Sequence, residues 1–115
     1  MGADRLTPTL LIYLAAALFE LLGSYAFWYV LRLGGSRFWL IAGTASLVIF
    51  AYLLTRIGLD ASGRVYAAYG GIYILASLLW LWQVDGRSPD LFDVLGVGLS
   101  VAGALVIILG RHSAG

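Results

Sequence analysis

The chain has no cysteine and no lysine, only two prolines, and a single histidine among its 115 residues. Without cysteine, disulfides and thiolate metal sites are excluded. His112 sits near the C-terminal end with no second ligand beside it, so it reads as a tail residue rather than a metal ligand. Charge is also scarce: 11% of residues are Asp, Glu, Lys or Arg, against about a quarter in a soluble domain. So few charges cannot cover a water-facing surface. A net charge of +1, with seven scattered arginines, offers nothing to nucleic acid. Phosphate loops, nucleophile triads and clustered metal ligands are missing as well. Gly96-Val97-Gly98 begins like a nucleotide-binding glycine loop, but its third glycine is misplaced and it lies inside an apolar run. No enzymatic activity, cofactor or metal is expected.

Apolar residues are abundant, at 62%, with a mean hydropathy of +0.95. They fall in four blocks, from Thr9 to Leu31, Phe38 to Thr55, Val65 to Trp82 and Leu91 to Gly110. Each is about 18 to 23 residues long, enough at about 1.5 Å per residue to span a hydrocarbon core of about 30 Å. Lipid offers no partner to unpaired backbone groups, so the spans must be helices. The blocks predict one four-helix transmembrane domain filling the chain. The first is too long for the apolar core of a signal peptide and carries a glutamate, so it is read as retained.

The connections hold the charges and breakers: Arg32 to Arg37, Arg56 to Arg64, and Asp85 to Asp90. Asp90 and Asp93 suit the start of the fourth helix, and Asp60 and Arg64 suit interfacial anchors. Trp28, Tyr29, Trp39, Trp80 and Trp82 lie near block ends, as an aromatic belt would. Arg5, Arg56, Arg64 and Arg111 fall on one side of the membrane and Arg32, Arg37 and Arg87 on the other. That is almost no bias, and a mixed, dual-orientation population follows.

Glu20 is at the centre of the first block. An ionisable residue there costs about 2.5 to 3.5 kcal/mol on insertion scales and is a functional candidate by default. Burial disfavours the ionised carboxylate. The group therefore holds a proton, or releases it in exchange for a cation, and that competition is enough to couple the two flows. Tyr13, Ala16, Ala17, Gly23, Ser24 and Phe27 share its helix face, which fits either a guest cavity or close helix packing.

On the third block Tyr66, Tyr69, Tyr73, Ser77 and Trp80 follow a helical spacing on one face, with Tyr73 near the depth of Glu20. Aromatic faces attract organic cations, and a phenol can orient a carboxylate. Trp80 belongs to both this stripe and the belt. Gly70-Gly71 interrupts the same helix and suits either a hinge or a packing contact. On the fourth block Gly96, Ser100, Gly103 and Ala104 make a small-residue track assigned to dimerisation.

One stretch is distinctive: Ala61-Ser62-Gly63-Arg64-Val65-Tyr66-Ala67-Ala68-Tyr69-Gly70-Gly71-Ile72-Tyr73. With Glu20-Leu21-Leu22-Gly23, Val84-Asp85-Gly86 and the closing Gly110-Arg111, it resembles the YnfA family of the small multidrug resistance superfamily along nearly the whole chain. The resemblance implies an all-α integral membrane protein with four transmembrane helices per protomer, paired as an antiparallel homodimer. It implies that Glu20 is shared by proton and substrate, with the third-helix aromatics lining the pocket. It also gives Ser46 of the second helix the part of a hydroxyl supporting that glutamate. The family often has Pro-Trp where this chain has Phe27-Trp28, a departure that leaves open whether the first helix kinks there.

The leading expectation is a multi-pass protein of the bacterial inner membrane that exports small lipophilic or aromatic cations against protons by alternating access. A dimer is needed because four short helices can hardly enclose a solvated cavity, and two oppositely inserted copies form the inverted pair such a cycle requires. A non-transporting membrane partner or lipid-carrier flippase subunit is the alternative, followed by an ion channel.

Overall fold

A computed structural model describes the backbone of residues 2–114 and the side chains of residues 7–110. The readings of Arg5, Arg111 and His112 thus lie outside the described side chains. Four helices follow one another: α1 (Gly2–Leu33), α2 (Phe38–Leu54), α3 (Ser62–Gln83) and α4 (Leu91–Ala114). Thr7–Leu33, Ser62–Gln83 and Leu91–Gly110 are each long and apolar enough to cross a bilayer. α2 is shorter, at 17 residues. At about 1.5 Å per residue it covers about 25 Å, the low end of what a span needs.

Helix ends differ from the apolar blocks. α1 begins at Gly2 and contains Pro8, α3 begins at Ser62 rather than Val65, and α4 passes Gly110. Apolarity marks where lipid begins, whereas backbone hydrogen bonding continues into the polar residues beyond it. Two turns use left-handed glycines, Gly34 (φ 75°) and Gly86 (φ 74°), just past the ends of α1 and α3. At the start of α4 the Asp93 amide donates to Asp90 Oδ1 at 2.8 Å and the Asp90 amide to Asp93 Oδ2 at 3.0 Å. This reciprocal cap satisfies two amides that the helix leaves orphaned.

The chain forms two hairpins, α1 with α2 and α3 with α4, and α1 joins them by packing on α3 and α4. α1 and α2 meet glycine to glycine. A Cβ on Gly23 would lie 2.8 Å from the Gly43 carbonyl oxygen, and one on Gly43 would lie 2.8 Å from Ala26 Cβ. In lipid, where hydrophobicity gives helices no reason to associate, such backbone proximity supplies the contact. The core joins Tyr13, Ala16 and Ala17 of α1 to Val65, Ala68, Tyr69 and Ile72 of α3 and Ile108 of α4. Leu11, Leu14, Leu18 and Leu22 form an outward stripe on α1, 46–61% exposed. That surface suits lipid and would be a liability in water.

Candidate functional site

Glu20 stands thirteen residues from each end of the apolar span Thr7–Leu33. Its side chain is half-buried, and the Tyr69 hydroxyl donates to its Oε1 at 2.6 Å. Hydrogen bonds of this length to a carboxylate are among the strong ones. Tyr69 is held from three helices. Tyr13 of α1 stacks on it with ring centroids 5.9 Å apart, Phe50 of α2 meets it at 5.4 Å, and Tyr73 of α3 at 5.7 Å. Tyr13 is fully buried, and its hydroxyl donates to the Val65 carbonyl at 2.9 Å. That bond ties the first turn of α3 to α1 and so fixes where Tyr69 stands.

Beside this pair a cavity of about 690 Å³ runs between α2 and α3 toward the loop joining them. Glu20, Phe50, Leu54, Val65, Tyr66 and Tyr69 line it, and Asp60 and Ser62 stand at its mouth. Asp60 is neutralised there by Arg64, whose Nη1 lies 2.9 and 2.8 Å from the two carboxylate oxygens. Among the described lining residues Glu20 is therefore the one carboxyl without a basic partner. A carboxylate with a phenol donor and aromatic walls can hold a proton or an organic cation. Among the described residues no three His, Cys, Asp or Glu side chains are grouped so as to hold a metal.

The third-helix stripe is divided by depth. Tyr66 and Tyr69 line the Glu20 cavity, and Tyr73 packs behind Tyr69. Ser77 turns toward α4, where its hydroxyl is buried without a hydrogen-bond partner. Trp80 is not at the Glu20 site. It pairs with Tyr25 at 5.3 Å in a second cavity, because eleven residues separate it from Tyr69, about 16 Å along the helix.

Ser46 does not reach the carboxylate either. Its hydroxyl donates to the carbonyl of Phe19 at 2.7 Å, fastening α2 to the α1 backbone one residue away. α3 runs unbroken through Gly70-Gly71. Gly71 is a packing position, where a Cβ would collide with the Ser100 carbonyl and lie 2.6 Å from Ala104 Cβ; Gly70 faces open space. Ser100 and Ala104 are thus used against α3 of the same protomer, while Gly96 and Gly103 remain open.

Phe50 and the clamping role of Tyr13 escaped the sequence reading. Tyr13 had a signal, lying two turns before Glu20 on the same face. Phe50 had none, because apart from Thr44 and Ser46 the residues of α2 are apolar or small and single out no face.

A family model described as an uncharacterised YnfA/UPF0060 family matches residues 6–113. A UPF0060 membrane protein from Methylocella silvestris is 55% identical over 106 residues, covering 92% of this chain and 98% of the relative. No solved structure matches the chain.

Proposed function

The chain belongs to the YnfA/UPF0060 family of membrane proteins, and we propose that it is a proton-coupled carrier exporting small organic, lipophilic or aromatic cations. The observation that carries this reading is the 2.6 Å bond from Tyr69 to a carboxyl at mid-membrane depth, bordering a cavity of about 690 Å³. A neutral glutamic acid is tolerated in lipid, and an ionised one is tolerated when a cation accompanies it. Proton and cation therefore exclude one another at one oxygen pair. A cation arriving from the loop side displaces the proton, while the phenol keeps the carboxylate oriented.

The cavity opens toward one end of the protomer, so a full cycle needs exposure to the other. Two copies inserted oppositely in the bacterial inner membrane provide this, as an antiparallel homodimer with both Glu20 side chains near the midplane. The test is proton release. Purified protein in weakly buffered detergent is challenged with benzyltrimethylammonium, a cation that cannot itself titrate. The expected result is saturable proton release, with binding that strengthens as pH rises, and neither in Glu20→Gln. Unaltered binding and release in Glu20→Gln would overturn the proposal.

A further inference from the structure

A second cavity, of about 610 Å³, lies at the other end of the seam between α1 and α3. Its deep part is formed by Leu21 and Ser24, adjacent to Glu20 along α1; its walls include Tyr25, Trp28 and Trp80; its rim carries Asp85 and Arg87. Along α1 it extends from Leu21 to Leu33, about 18 Å at about 1.5 Å per residue. It thus runs from mid-membrane depth to the headgroup level, apolar at one end and charged at the other. An occupant must be an amphiphile lying parallel to the helices.

The rim decides which amphiphile. Among the described residues neither the Asp85 carboxylate nor the Arg87 guanidinium has a side-chain hydrogen bond or ion pair, although only one residue separates them. Arg32 lies 4.5 Å above the ring of Trp28, one of the walls, and is itself outside the lining. One arginine balances the one carboxylate, so the rim has no net negative charge to draw a lone cation. A phosphate suits Arg87, whose planar donors match its oxygens. The carboxylate then calls for an ammonium carrying N–H donors beside that phosphate. Tyr and Trp at this level are the usual neighbours of lipid headgroups.

We propose that this cavity is a phospholipid site selective for phosphatidylethanolamine: phosphate on Arg87, primary ammonium on Asp85, and one acyl chain in the cleft down to Leu21. Choline lacks an N–H to give Asp85, and glycerol lacks a cation.

The inference does not depend on cation export and is tested separately. Delipidated protein is incubated with vesicles of equal phosphatidylethanolamine, phosphatidylcholine and phosphatidylglycerol with matched chains, and retained lipid is counted by native mass spectrometry. Phosphatidylethanolamine is expected to dominate. Arg87→Gln should lower its retention about tenfold, as loss of a charged hydrogen bond implies, and Asp85→Asn should erase its advantage over phosphatidylcholine. Retention indifferent to Arg87→Gln, or a preference for phosphatidylglycerol, would overturn the assignment. So would an absence of retained lipid, the result expected if a second copy of the chain covers the cavity. If Arg87→Gln does not fold, a headgroup preference surviving in Asp85→Asn is equally fatal.

Discussion

The two cavities share the α1 and α3 helices yet are built from opposite chemistry. Near the α2–α3 loop the aromatics of the lining are tyrosine and phenylalanine, and among its described residues the one carboxyl without a basic partner is at mid-depth. At the other end stand Trp28 and Trp80, with Trp39 and Trp82 close to the same membrane face, and the charges are at the rim. The difference teaches how depth assigns a role to charge. An ionised group at headgroup level is solvated and serves as an anchor. The same group at mid-membrane is stable only when neutralised, which is what suits Glu20 to the exchange proposed for it.

The largest expected effect separates the two ends. Removing the deep charge from a desolvated cation costs about 2 to 5 kcal/mol, which would abolish detectable binding of a weak ligand. Glu20→Gln should therefore lose benzyltrimethylammonium and keep phosphatidylethanolamine, while Arg87→Gln should do the reverse. Isothermal titration and native mass spectrometry on one preparation read both. If either variant loses both ligands, the cavities are not independent.

Tyr69→Phe sharpens the comparison within the first cavity. The ring and its contacts with Tyr13, Phe50 and Tyr73 remain, and only the donor to Glu20 is removed. Hydrogen bonds to charged groups are worth about 1.5 to 3 kcal/mol, so cation affinity should fall by about tenfold to a hundredfold, with lipid retention unchanged. Affinity within twofold of the parent (about 0.4 kcal/mol) would show that the phenol is a bystander.

These residues were legible in the sequence to different degrees. Glu20 stood out because it is the only acidic residue at the centre of an apolar block, Asp93 lying at a block's start, and Tyr69 because polar-tipped aromatics recur at helical spacing. Trp80 followed the same spacing but belongs to a different site, since periodicity reports the face of a helix and says nothing about which depth a ligand occupies. Gly71 and Ala104 were visible as small residues, but small residues encode only that something comes close. Whether the neighbour is α4 of the same protomer or another copy depends on which helices pair, and that is a property of the whole fold.

Gly71 tests the wall common to both cavities, because α3 lines each of them and α4 holds α3 from behind. A methyl group at Gly71 meets backbone at Ser100, which cannot yield as a side-chain tip can. Gly71→Ala should destabilise by about 1 to 3 kcal/mol and weaken both ligands together. Gly70→Ala, with open space around it, should gain up to about 1 kcal/mol from helix propensity. Thermal unfolding in detergent reads the difference. Equal shifts for the two variants would mean that α3 and α4 do not pack in this register.

The smallest effect distinguishes a residue beside the carboxylate from one acting on it. Ser46 lies against α1 at the depth of Glu20, and a hydroxyl there would be supposed to hold the carboxylate. Its donor goes instead to the Phe19 carbonyl, an oxygen that a regular helix already engages with the amide four residues on. Losing the second bond costs only a net hydrogen bond, about 0.5 to 1.5 kcal/mol, and strands no charge. Ser46→Ala should therefore lower the unfolding temperature slightly and leave cation affinity and proton release as they were. A tenfold loss of affinity with unchanged stability would instead require the hydroxyl to turn to Glu20 when cargo binds, making α2 part of the exchange site rather than its support.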